Sequence, residues 1–193
     1  MTLRHALGSL EERGLVARRV GRDGGTFVEK PKLELTGLAA LSDQLRGLGR
    51  HAGARVLSAR ERQATAAEEA VFGSQSRVFE VVRVRSADGS PVALERTVLP
   101  CALFPSLLDE PLDGSLYAVM RDRYGIRPAR AVERLEPALA ARDAAVALDV
   151  TPRRPVMLVQ RTTYDSAGRA IEVSRDVFRS DRMRVVWETE IAV

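Results

Sequence analysis

The sequence predicts an α+β fold, an antiparallel sheet with flanking helices, preceded by a small helix and hairpin. Three observations lead there. Runs rich in Val, Thr and Arg alternate with helical runs that carry caps. The strand-like runs are joined in pairs by hairpin signals, at Asp88-Gly89 and between Asp165 and Gly168, which gives antiparallel pairing rather than parallel crossovers. The two hairpins also resemble each other: Arg83 to Glu95 and Arg161 to Glu172 each run from Arg through an acidic, glycine-containing turn to an apolar pair and Glu. That similarity suggests an internal duplication of a helix-plus-hairpin unit.

Composition sets the limits. The chain has 193 residues, 45% hydrophobic and 29% charged, which suits one full domain plus a small piece. No run approaches the roughly 18 apolar residues of a membrane span, and no signal-peptide layout opens the chain, so a cytoplasmic protein without a membrane partner is expected. One cysteine excludes an internal disulfide, and His5 and His51 are too far apart in sequence to suggest a metal site. Residues 1–32 hold seven basic against four acidic residues, a surplus of +3 out of a net +4. A basic start before a nearly neutral remainder points to nucleic acid, although arginine richness throughout, with only two lysines, weakens the inference.

The elements follow in order. Residues 2–13 place Leu3, Ala6, Leu7 and Leu10 at helical spacing, with Thr2 as N-cap and Gly14 as stop. A strand at 15–17, a basic glycine-rich tip at 18–25 and a strand at 26–28 come next. Lys30-Pro31-Lys32 reads as a linker, so the expected division is 1–29, a linker at 30–34 and a main domain at 35–193. Helices are expected at 35–49, at 65–72 before Gly73, and up to Tyr124 before Gly125. Pro137 suits the first residue of a helix running to Leu148. Strands are expected at 56–62, 77–85, 91–99, 129–135, 155–164, 170–178 and 185–191, with an irregular crossing at 100–108.

The first hairpin carries the candidate chemistry. Arg83, Arg85 and Glu95 are charged residues on otherwise apolar strands. A two-residue loop would place both arginines on the face opposite Glu95, whereas a three-residue loop of Ala87, Asp88 and Gly89, with Gly89 left-handed in a bulge, puts all three on one face. The second arrangement is expected. Two guanidiniums and a carboxylate converging on a sheet face make a site for a ligand with anionic and hydroxyl or amine groups; the competing reading is a surface ion-pair ladder. Cys101 has no histidine beside it and reads as a packed thiol. With no nucleophile and base pair, no metal set and no cofactor motif, an enzyme is not expected.

The first 28 residues resemble the recognition helix and wing of GntR-superfamily regulators, through Thr2, Arg4, Ala6, Leu7, Leu10, Gly14, Leu15, Arg19, Gly25, Thr26, Phe27 and Val28. The resemblance implies DNA contacts from Thr2, Arg4, Arg19, Arg22, Gly25 and Thr26. Two helices precede this one in the family, so this segment reads as a partial winged helix and DNA binding is expected of the longer protein rather than of this chain alone.

Residues 33–193 resemble the UTRA domain of the HutC subfamily, whose fold is similar to chorismate lyase. The marks are Arg83-x-Arg85, Asp88-Gly89, Glu95, Leu99-Pro100, Phe104-Pro105, Gly114 to Tyr117, Tyr124-Gly125, Glu172 and Arg179 to Arg182. The resemblance implies a transcription regulator, usually dimeric, whose UTRA domain binds a small anionic effector such as a phosphosugar. It implies effector contacts from Arg83, Arg85, Glu95, Ser115, Tyr117 and Glu172, and from Phe178 where phosphosugar-binding relatives carry tyrosine. Ala40 likewise stands where a hydroxyl is usual. A lyase-like enzyme and a fragment that only dimerises are the alternatives.

Overall fold

The computed structural model describes residues 2–12, 16–21, 24–28, 32–35, 41–73, 75–186 and 188–189. The expected positions Arg22, Leu38 and Ala40 lie outside them. The described chain is α+β, with a six-stranded sheet, antiparallel throughout, at its centre.

Helix α1 (Leu3–Glu12) and the hairpin of β1 (Val16–Arg19) and β2 (Gly25–Val28) come first. The Thr2 carbonyl accepts from the amides of His5 and Ala6 and closes the first turn of α1. Leu3 is 77% exposed and Leu7 and Leu10 are half-buried, so the apolar stripe of α1 is left partly open. Glu11 pairs with Arg18 at 3.5 Å across to the hairpin.

Strand β3 (Leu33–Leu35) pairs in parallel with β10 (Met183–Val185). Residues 33 and 34 were expected in the linker and Leu35 at the start of a helix, and the last strand was expected at 185–191. The pairing explains both differences: Leu33 and Met183 are buried in one cluster with Leu41, Leu45 and Phe178, so burial outweighs the local Lys-Pro-Lys signal. Trp187 and residues 190–193 lie outside the described residues.

The remaining elements form two copies of one layout. Helix α2 (Leu41–Gly47), β4 (Ala52–Gln63), α3 (Ala66–Phe72), β5 (Arg77–Ala87) and β6 (Ser90–Pro100) make the first. Helix α4 (Leu116–Tyr124), β7 (Pro128–Leu139), α5 (Arg142–Leu148), β8 (Pro155–Asp165) and β9 (Ala170–Arg179) make the second. Sheet order β4-β5-β6-β9-β8-β7 sets the copies back to back, β6 against β9. This matches the duplication expected from the two hairpins.

Local chemistry places the helices. Thr65 and Glu68 form a reciprocal capping box at α3, and Gly73 ends it left-handed. Ser115 caps α4, and Gly125, at φ 66°, returns its amide to the carbonyls of Met120 and Arg121. Helix α5 begins at Arg142, not at Pro137. Pro137 instead lies opposite Met157 in β7, an edge strand, where a missing amide leaves no ladder bond unmade.

The first hairpin has a two-residue loop, contrary to the expected three. Asp88 (φ 49°) and Gly89 (φ 76°) are both left-handed, as a type I′ turn requires. Register is corrected further along: Ser86 pairs with Pro91 but Arg85 pairs with Ala93, leaving Val92 as a bulge. The extra residue brings Glu95 opposite Arg83, so the three charges share a face after all. Asp88 fastens the tip by accepting from the His51 amide at 2.9 Å and Arg50 at 2.8 Å, bonds that hold its pKa below the usual aspartate range.

Helices α3 and α5 cover one face of the sheet through Phe72 and through Ala144 and Leu148. The other face carries two apolar clusters, one built on Phe79, Phe104, Leu116 and Met120, the other on Leu41, Leu45 and Phe178.

Candidate functional site

Among these core-forming elements, the sheet face beneath α2 and α4 holds a set of buried polar residues. Alternation along β5, β6, β9 and β8 aims Arg83, Arg85, Glu95, Thr97, Glu172, Ser174, Asp176, Arg161 and Thr163 at this one face. All of them except Arg161 are buried.

Arg83 and Arg85 close on Glu95 from two sides. Arg83 donates to Oε2 at 2.6 Å, Arg85 to Oε1 at 2.9 Å and to Oε2 at 3.2 Å. Burial alone would raise the Glu95 pKa, but the two guanidinium charges and their hydrogen bonds outweigh it and hold the carboxyl below its usual range. Arg83 also donates to the carbonyls of Leu112 and Gly114, at 3.0 and 2.9 Å, which anchors the approach to α4. Arg85 reaches Ser42 in α2.

A second network faces the first. The Tyr117 hydroxyl donates to Glu172 at 2.8 Å, and Thr163 donates to the same oxygen at 2.7 Å. Burial, with the charge of Glu172 beside it, raises the Tyr117 pKa and keeps the phenol neutral. Arg161 donates to Glu133 at 2.6 Å and stands 3.7 Å from Asp176.

Between the networks is a cavity of about 30 Å³, room for roughly two waters. Leu41, Ser115, Leu116 and Tyr117 line it with the three arginines, the three carboxylates Glu95, Glu172 and Asp176, and Thr97. Two buried side-chain atoms among the described residues lack any hydrogen-bond partner, Arg83 Nε and Asp176 Oδ1, and both residues line this cavity. Larger clefts of about 330 Å³, beside Arg50 and Arg182, and about 400 Å³, beside Glu110 and Arg123, contain no such atom. Unmet buried polar groups are what a bound ligand satisfies, so the smaller cavity is the better candidate.

The structure brings six of the seven expected effector residues around this cavity: Arg83, Arg85, Glu95, Ser115, Tyr117 and Glu172. Phe178 shares the sheet face, opposite Ala93, but packs into the apolar cluster with Leu41 and Leu45. Ser115 accepts the Ala118 amide at 3.3 Å, the bond of an ordinary helix cap, leaving its hydroxyl hydrogen available. Sequence reasoning missed Ser42, Thr97, Arg161, Thr163 and Asp176. Arg161 had a signal in its repeat relation to Arg83, and Asp176 lies four residues beyond Glu172, hence on its face. Ser42 had none, since it arrives from a helix distant in sequence.

Of the expected DNA-contacting residues, Thr2 just before α1, Arg4 on α1, and Gly25 and Thr26 on β2 are exposed. Arg19 pairs with Gly25 through the backbone, and Arg22 lies outside the described residues. Cys101 is half-buried, its thiol pushed up to about 11 by burial and then by the charge of Glu61, the opposite of an activated nucleophile.

Comparison with known proteins gives the geometry its context. The UTRA domain matches residues 47–184. The chain is 34% identical over 190 residues to the HTH-type transcriptional repressor NagR of Bacillus subtilis, covering 96% of this chain and 77% of that one. It is 35% identical over 187 residues to the repressor PhnF of Mycolicibacterium smegmatis, covering 94% and 75%. The crystal structure of PhnF superposes with a TM-score of 0.85 at 32% identity, over 98% of this chain and 84% of that chain. These relatives regulate transcription, which removes the lyase-like enzyme from consideration. The chain belongs to the UTRA-domain transcription regulators of the GntR family, proteins that bind small-molecule effectors and DNA.

Proposed function

We propose that the cavity between the two networks is the effector site and that the effector is a small anionic metabolite, a phosphosugar or a molecule of similar charge. The observation that supports this most is the unpartnered Nε of buried Arg83, beside the first turn of α4. The amides of Leu116 and Tyr117 open that nine-residue helix with no backbone acceptor among the described residues, so a partial positive charge and free donors face the same space. Arg83, Arg85 and Arg161 supply charge, Ser115 a hydroxyl, and Glu95 and Glu172 accept from hydroxyls of the effector body.

A cavity of about 30 Å³ is smaller than a sugar, so entry requires movement. The contacts that must give are those from α2 and α4, Ser42 to Arg85 and Tyr117 to Glu172. Helix α2 is the first helix after β3, on the path from the N-terminal segment, so a change at Ser42 is a route from effector to DNA-contacting residues. The domain division at about residue 30, placement in the HutC subfamily, a winged-helix reading of α1 to β2, a homodimer and a cytoplasmic location complete the proposal.

Thermal-shift screening with phosphosugars, sugar acids and amino-acid derivatives tests it. A hit should stabilise the chain, and Arg83→Ala or Glu95→Ala should abolish the shift. Failure of every anionic class would contradict the proposal.

A further inference from the structure

Asp176 has no part in the effector contacts set out above, yet it is 2% exposed and its Oδ1 has no hydrogen-bond partner. Its other oxygen accepts from Ser174 at 3.1 Å. The charged groups around it come from every neighbouring strand: Glu95 directly opposite on β6, Arg83 and Arg85 behind it on β5, Glu172 on β9 and Arg161 on β8. Glu133 of β7 draws Arg161 the other way through its 2.6 Å bond, and from α4 the neutral Tyr117 contributes no charge. Asp176 therefore competes for one shared cation while standing near two other carboxylates.

We propose, resting on the anion-site reading above, that Asp176 is a further ligand-contacting residue which, as a neutral acid, donates from Oδ1 to an effector oxyanion, so that the anion enters together with a proton. With Asp176 ionised, the carboxylates around the cavity at least match the three arginines, and the cavity offers an oxyanion no net attraction. Protonated, Asp176 makes the cavity one unit more positive and converts an unmet acceptor into a donor. The free protein is poised between these states: burial, opposed by Arg161 and reinforced by Glu95 and Glu172, pushes the Asp176 carboxyl up to about 7. A bound anion moves it higher. Affinity for an oxyanion thus rises as pH falls toward 7, by up to about tenfold per pH unit, and levels off below, where the free protein already holds the proton.

Isothermal titration calorimetry of the full chain with sodium sulfate tests this at constant ionic strength, from about pH 6 to about pH 8.5, in buffers of different ionisation heat. Sulfate keeps its charge over that range, so only the protein titrates. The expected result is uptake approaching one proton per sulfate at the alkaline end, with affinity about tenfold or more weaker there than at the acid end. Asp176→Asn should bind independently of pH. Binding that Arg83→Gln removes but that shows no proton uptake overturns the role of Asp176 and leaves the anion site standing. No sulfate binding, or binding indifferent to Arg83→Gln, overturns the anion site and the role of Asp176 with it. The buffer comparison needs only the unaltered chain, so a variant that fails to fold does not remove the test.

Discussion

Asp176 stands directly across the β6–β9 ladder from Glu95, so two buried carboxylates share one row of the sheet, one ionised between two arginines and the other pushed toward neutrality. The pair makes opposite predictions for stability against pH.

Asp176 titrates near 7 when folded and near 4 when unfolded, so its share of stability is undiminished below about pH 4, falls as pH rises to about 7, and stays low above. Asp176→Asn removes that loss. It should raise stability by about 1–3 kcal/mol at pH 8 and change little at pH 4, as read by thermal denaturation at both values.

Glu95 behaves in the reverse sense. Its folded pKa is depressed, so its contribution is present above the unfolded value of about 4.3 and is lost as pH falls through the lower, folded one. Glu95→Gln leaves Arg83 and Arg85 buried with an uncharged partner. Urea denaturation at neutral pH should show a loss of about 3–5 kcal/mol, and the acid limb of the stability curve should flatten.

Thr65→Ala provides a contrast remote from the cavity. It removes one half of the capping box on α3, and about 1 kcal/mol of stability should go with it. Effector or sulfate affinity should be unchanged, because α3 packs on the opposite sheet face through Phe72.

Much of this was legible in the chain. The glycine stops placed the ends of α3 and α4, because Gly73 and Gly125 act locally. The shared face of Arg83, Arg85 and Glu95 was also foreseen, but through the wrong device. A bulge depends on how β6 fits both of its neighbours, which no short stretch of sequence encodes; Asp88-Gly89 by itself indicates the I′ turn that is present. Pro137 misled for the same reason: its tolerance in β7 follows from that strand lying at the sheet edge. Arg161 and Asp176 carried only the repeat and the strand spacing as signals, and it is the pairing of β8 with β9 that makes them neighbours.

Backbone amide mapping by NMR tests the account most directly, following the full chain during titration with the best ligand from the thermal-shift screen. The account predicts that the largest perturbations fall at Arg83, Glu95, Leu116, Tyr117 and Asp176, around the cavity with the unpartnered polar atoms. Perturbations centred on Arg50, Ser90 and Arg182, or on Glu110, Val119 and Arg123, would place the ligand in one of the two larger clefts and contradict it.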